Sequence, residues 1–275
     1  MIRYISGRLL SSALVLLLLS VIVFTMVRLI PGDPVAAFAD PANPDPAELA
    51  RLRTELGLDR PWATQYFVWI LAVLQGDFGS SITQPLDVAE LIGDRLPVSI
   101  QLSVMATILG VAIGIPAGVL AATQTRRLGD HVVRGASFVF LATPPFVLGT
   151  VLILLNSQTL RLPLIGYVPL EEDVLGSIRS MLLPSLLLGL VLAALVARYT
   201  RGTLLDTLGQ DFVRTARAKG ASPRRLVGRH ALRNALIPVT TVVGIELASL
   251  VGGTVVTEAV FALPGMGSVL ISGIR

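Results

Sequence analysis

"DFVRTARAKGASPRRLVGRHALRNALIP", Asp211 to Pro238, decides how the chain is read. It holds seven cations against one acid and lies between two long apolar runs. Its punctuation is helical. Asp211 suits an N-cap, and Phe212–Lys219 provide two turns. Gly220 stands where a left-handed C-cap is wanted, behind Arg217 and Lys219, whose charges favour a helix C-terminus. Ser222-Pro223 restart a helix as N-cap and first helical residue, with Arg224, Arg225 and His230 along it. The expected form is helix, glycine break, helix. Phe212, Val213, Ala216 and Gly220 fall on one side of the first helix, Arg214 and Arg217 on another. Such a helix could enter a groove on a soluble partner. A loop that merely attracts anionic lipid, at about 1 kcal/mol per cation, needs no defined break.

The surroundings explain why so basic a segment sits there. Of 275 residues, 53% are hydrophobic and 15% charged, against about a quarter charged in ordinary soluble domains. There is no cysteine, so disulfide and thiolate chemistry are excluded. Five apolar runs reach, or nearly reach, the roughly 20 residues that cross a bilayer: Leu9–Val27, Val98–Ala122, Gly135–Leu155, Met181–Ala197 and Leu236–Phe261. Only helices can span as single segments, because isolated strands leave backbone groups unpaired in lipid. The first run is longer than a signal-peptide core, and the small-residue pair Ala37 and Ala39 lies well beyond its end, so it reads as a retained helix. The expectation is an all-α multi-pass membrane protein with five spans.

Arginine placement orients it. Arg3 and Arg8 precede the first span, Arg126, Arg127 and Arg134 follow the second, and nine cations lie between Arg198 and Arg233. The alternate segments are acidic: 31–97 has ten acids against four arginines. The positive-inside rule then puts the N-terminus and the basic segment in the cytoplasm. Three regions follow: 1–30 with the first span, an extracytoplasmic segment 31–97, and a core 98–275 containing the cytoplasmic loop 198–235. Within 31–97, Asp45–Leu56, the aromatic stretch Pro61–Gln75 and Pro85–Arg95 read as short helices, the second of them interfacial.

Inside the membrane, Glu246 lies ten residues beyond Leu236, about 15 Å along a helix and so near mid-bilayer. Glu246, Ser249, Gly253 and Thr257 share one helical face, a polar stripe that could line a pathway or make a close helix contact. Glu258 falls at the outer interface beside Pro264, Gly265 and Gly267, where anchoring that turn is its simplest role. Gly110, Gly114 and Gly118 form a packing ridge, and Pro144-Pro145 should kink the third span.

Several chemistries are excluded. No G-x-x-x-x-G-K-[ST] or H-E-x-x-H occurs. The serines of "GDFGSSI" lack G-x-S-x-G spacing. His131 and His230 are too far apart to suggest a metal site, and the cations lack the interleaved aromatics of a nucleic-acid binder. No catalytic residue, cofactor or metal is expected. A self-contained secondary transporter or channel, one alternative, would be expected to show inverted repeats or interrupted spans, and no such repeat occurs; a membrane anchor whose basic loop recruits lipid or RNA is the other.

"RTARAKGAS" (Arg214–Ser222) and "RHALRNALIPV" (Arg229–Val239) resemble the EAA loop of ABC-transporter permeases, in the variant of the peptide and nickel importers. "PGDP" (Pro31–Pro34), "GLDRPWATQY" (Gly57–Tyr66), "GDFGSSI" (Gly76–Ile82), "RLPVSIQLS" (Arg95–Ser103) and "GGTVVTEAVFALPGMG" (Gly252–Gly267) extend the likeness along nearly the whole chain. The resemblance implies a type I importer permease fold in a prokaryotic cytoplasmic membrane. It implies a second permease, two cytosolic ATPases that carry ATP and Mg, and an extracytoplasmic binding protein. The cargo would be di- or oligopeptide, with nickel or glutathione as alternatives. Arg214-Thr215-Ala216 occupy the Glu-Ala-Ala positions, so the family's leading glutamate is missing, and Glu246 stands where glutamine is usual. Relatives continue into a sixth spanning helix that this sequence does not contain.

Overall fold

The computed structural model describes residues 2–29, 46–81, 86–159 and 166–274. The "PGDP" sequence at 31–34, Ala37 to Ala39, Asp45, Pro85 and Arg275 lie outside the described residues. Among the described residues the chain is helical, with one isolated antiparallel bridge between Ser80 and Asp87. The helices are α1 (Ile2–Leu29), α2 (Pro46–Glu55), α3 (Trp62–Leu74), α4 (Val88–Thr123), α5 (Leu128–Ala142), α6 (Pro145–Gln158) and α7 (Val174–Leu208). After them come α8 (Asp211–Ala218), α9 (Pro223–Gly253), α10 (Val255–Val260) and α11 (Met266–Ile274). Four of them are long and apolar enough to cross a membrane, and α5 with α6 can make a fifth, broken span.

The chain divides into two compact units, Met1–Leu91 and Ile92–Arg275. In the first, α1 is apolar on every side, and none of its central window is buried in protein. A helix hydrophobic all round needs an apolar solvent, which lipid supplies. Its Phe24 ring packs edge-on against Tyr66 of α3 at 5.5 Å, and Ser20 Oγ hydrogen-bonds the Tyr66 hydroxyl at 2.9 Å. Gln65 Nε2 donates to the Arg60 carbonyl at 2.7 Å and so fixes the loop from α2 into α3. The turn after α3 uses positive φ at Gly76 and Gly79, and Asp77 Oδ1 accepts the Gly79 N–H.

The second unit is built on α7, whose apolar window is 72% buried in protein. Asp173 caps it, accepting the Leu175 N–H at 2.9 Å. Helix α4 lies alongside and runs the same way. A Cβ on Gly110, Gly114 or Gly118 would stand 2.7, 2.7 and 2.6 Å from Leu192, Val196 and Thr200. Every fourth residue of one helix therefore meets every fourth of the other, and Gly189 returns the contact against Leu109. Three apolar layers stack along this seam. Val98, Leu102 and Ala106 meet Met181 and Leu187 at one end; Leu192 and Val196 meet Val239 in the middle; Ala122 and Leu204 meet Val213, Leu226 and Ala235 at the other. Near the first layer, Gln101 bridges Ser177 and the Tyr167 hydroxyl. Burial, and secondarily Glu171, push the Tyr167 phenol up, which keeps it a donor.

Four expectations are corrected here. The third span is not one kinked helix over Gly135–Leu155: α5 and α6 meet at 111°. Pro144 drives Thr143 into an extended conformation, and Pro145 is the first residue of the next helix. The fourth span, read as Met181–Ala197, is a 35-residue helix. The fifth, read as Leu236–Phe261, is interrupted at Thr254, where α9 gives way to α10. The short helix expected over Pro85–Arg95 is no separate element, because its described part runs unbroken into α4 from Val88.

Gly114→Leu should wreck the seam, since its first side-chain carbon would meet Val196 at 2.7 Å. We expect at least the 1–3 kcal/mol typical of overpacking, read as a fall in melting temperature in detergent. Gly135→Ala on α5, with nothing within 4 Å of the new carbon, should leave it unchanged.

Candidate functional site

The basic segment is folded as a rigid elbow. Gln210, not Asp211, occupies the N-cap position of α8, with no side-chain cap bond, and Asp211 is the first helical residue. An acid there still complements the helix dipole. At the other end the Gly220 N–H bonds the Arg217 carbonyl at 2.9 Å, and the Ala221 N–H bonds the Ala216 carbonyl at 3.2 Å. These two bonds make a Schellman motif, for which Gly220 takes φ +83°. Ser222 then occupies the N-cap of α9 without a side-chain bond, and Pro223 is its first residue. Leu226–Ala231 forms a π-helical turn before the regular helix resumes. No pattern in the sequence announced that turn.

The side chains of this elbow divide differently from the expected ridge. Val213 is fully buried among Leu204, Leu226 and Ala231, and Ala216 packs on the same cluster. Those two residues serve the protein's own core. Phe212 remains 43% exposed and stands with Arg214, Arg217 and Lys219 at the surface. Thr215 bonds back to the Asp211 carbonyl. Arg224 and Arg225 are exposed at the start of α9, while His230 is half-buried. Arg214 approaches Asp211 at 3.5 Å, but both are highly exposed and the pair contributes little. The arrangement offers an aromatic ring and a field of cations on a backbone held by the Schellman bonds at Gly220.

A second charged feature was missed by sequence reasoning. Asp130, 1% exposed in the first turn of α5, accepts two bonds from Arg201 of α7, at 2.7 and 2.9 Å, and one from the Arg126 N–H at 3.0 Å. Asp130 is the lone acid among Arg126, Arg127, His131 and Arg134, and that isolation was the available signal. Beside the pair opens a cavity of about 980 Å³ bordered by His131, Arg134, Phe138, Leu141 and Arg198.

The polar stripe is only partly brought together. Glu246, half-buried, and Ser249 and Gly253, both exposed, lie on α9. Thr257 lies past the interruption, on α10, and is buried. The helix is interrupted at Thr254 between them, and Thr257 is buried where Ser249 and Gly253 are exposed, so the four do not lie along one unbroken helix. Glu258 is fully buried. Its Oε1 accepts from Ser99 Oγ of α4 and from Thr254 Oγ1, each at 2.6 Å, and its Oε2 accepts the Gly267 N–H at 2.7 Å. Ser99 Oγ in turn accepts the Met266 N–H at 2.9 Å. A Cβ on Gly265 would overlap the Glu258 carboxyl, and one on Gly267 would overlap the Val255 backbone, so neither glycine can be replaced freely. Pro264 presents its carbonyl towards Arg95 at 3.5 Å. The pairing of Ser99 with Glu258 gave no sign in the sequence, because 159 residues separate them.

Residues 114–275 match the family described as "Binding-protein-dependent transport system inner membrane component". Residues 1–103 match its N-terminal counterpart. A "Probable peptide ABC transporter permease protein" of Sinorhizobium fredii is 39% identical over 99% of this chain and 87% of its own length. The "Dipeptide transport system permease protein" DppB of Escherichia coli is 35% identical over 94% of this chain and 83% of its own length.

Replacing Asp130 with Ala would strand the Arg201 guanidinium. The expected loss of stability is about 2–4 kcal/mol, somewhat under that of a fully buried pair because Arg201 keeps some solvent contact. Thermal unfolding of Asp130→Ala beside the charge-free double variant Asp130→Asn/Arg201→Met measures it, and the double variant should recover most of the loss.

Proposed function

The chain belongs to the inner-membrane permeases of binding-protein-dependent ABC transport systems, in the peptide-importer family, and we propose from that premise that it forms half of an ATP-driven import pathway for di- or oligopeptides. It is a multi-pass protein of the cytoplasmic membrane. The observation that carries the proposal is the elbow at α8 and α9: a Schellman-capped helix keyed into the bundle by Val213, with Phe212 and its neighbouring cations exposed.

In this reading the N-terminus and the elbow face the cytoplasm. A second permease completes the pathway, and an extracytoplasmic binding protein delivers cargo to the other side. Two cytosolic ATPases hold ATP and Mg, and one of them receives α8 in a surface groove. Phe212 fills an apolar pocket there, while Arg214, Arg217, Lys219, Arg224 and Arg225 answer acidic groups. ATPase closure moves the elbow as a rigid body, and Val213, seated against Leu226, Ala231 and Ala235, passes that motion to α9. Glu246, with Ser249 and Gly253, lines the route, where a carboxylate attracts the amino group of a peptide. The buried turn at Glu258, Pro264, Gly265 and Gly267 closes the outer end. Nickel or glutathione cargo would use the same architecture, and the binding protein's content separates them.

Phe212→Ala leaves the core untouched and should weaken ATPase co-purification about tenfold, the equivalent of ~1.4 kcal/mol. Gly220→Pro, which cannot adopt the positive φ, should abolish both co-purification and uptake. Undiminished uptake with no ATPase attached rejects the proposal. Glu246→Gln should lower dipeptide uptake several-fold, and equal uptake of every tested cargo would remove Glu246 from the route.

A further inference from the structure

Glu258 lies just past the far end of the helix whose near end is the elbow. Helix α9 runs 31 residues from Pro223 to Gly253, about 46 Å at 1.5 Å per residue. There it stops, at Thr254, and six residues of α10 follow. The Glu258 carboxylate ties three pieces of chain together at that point. It reaches α4 through Ser99, the break itself through Thr254, and the following turn through the Gly267 N–H. The Ser99 hydroxyl already accepts the Met266 N–H, so its one proton is committed to Glu258. The Leu263 N–H also returns to the Glu258 carbonyl at 2.8 Å. The Ala262–Gly267 turn and α10 are thus tied to α4 at Ser99, and α10 also rests on α6, where Val260 lies against Gly149. The stretch of α9 before Thr254 has no such polar fastening among the described residues: it rests on α7 through Val239 against Leu192 and Val196, and 11% of its apolar window is buried in protein.

We propose that Glu258 is a positioning residue for transport. It holds α10 and the Ala262–Gly267 turn fixed on α4, and so makes Thr254 the pivot about which α9 swings when the elbow is driven. The inference rests on the proposed ATP-driven reading and deepens it. A carboxylate suits the task because it offers acceptors only, and all three groups aimed at it are donors. An amide in its place must turn its nitrogen towards Ser99 and Thr254, which can satisfy it only by reversing both hydroxyls. Loss of the anchorage lets α10 travel with α9, so the ATPase stroke is spent without opening the pathway.

This chain contains no cysteine, so within it the introduced pair is the only labelling site once cysteines of the partner subunits have been replaced. Ala259 on α10, Ser249 on α9 and Ile100 on α4 are all exposed. In the complete complex with its second permease, ATPases and binding protein, spin labels at 259 and 100 should keep one separation with and without ATP, magnesium and vanadate. Labels at 249 and 100 should change theirs. An equal shift in both pairs, or none in either, overturns the pivot. In proteoliposomes, Glu258→Gln and the milder Ser99→Ala should lower radiolabelled dialanine accumulated per ATP hydrolysed at least fivefold while ATPase activity persists. A proportional loss of both activities, at unchanged melting temperature, overturns the positioning role. Wild-type complex that accumulates no dialanine with ATP speaks against the import reading, whereas the label separations judge the pivot by themselves.

Discussion

The close approach of α4 and α7 is the contact on which the second unit depends. In lipid there is no hydrophobic gain from burying one apolar helix against another, so association must come from dispersion and polar contacts at short range. Glycine at three successive turns of α4 lets Leu192, Val196 and Thr200 sit where side chains would otherwise be. With that seam closed, α7 presents its remaining faces to α5, α6 and α9 and becomes the post around which they are arranged.

Polar groups then decide which arrangement is kept. Asp130 and Arg201 fasten the start of α5 to α7, and Glu258 fastens the sequence after α9 to α4. Desolvating a charge is costly, so such pairs add less to stability than their short distances suggest. Their value is that no other register satisfies them: a shift of one residue would leave a carboxylate buried among carbon atoms. Small residues make the helices fit at many positions along the seam, and the carboxylates select one of them.

The spans and the basic elbow were legible because each rests on local signals, apolar runs near 20 residues and the order cap, glycine, Ser-Pro. What was lost is non-local or depends on the direction of the chain. Pro144-Pro145 announces a disturbance, but its 111° angle is set by the seat of α6, where Gly149 lets Val260 and Leu187 approach. Periodicity carried the fifth span straight through Thr254, since "GGTVV" contains no proline to mark the stop. The partners Ser99 and Glu258 lie 159 residues apart, and Arg201 lies 71 from Asp130. Phe212, Val213 and Ala216 were correctly read as apolar, yet only the fold tells which of them faces inward.

The π turn at Leu226–Ala231 has a bearing on α9 as a whole. A π turn accommodates about one residue more than an α turn, and one residue corresponds to roughly 100° of rotation. Were the same residues forced into regular α-helix with none deleted, everything downstream would be rephased, and the azimuth of Glu246 would swing by about a quarter-circle relative to α8. The irregular turn therefore works as a phase-setting spacer, and the chain tolerates or rejects single-residue indels in this stretch according to the heading they give a carboxylate more than twenty Å away.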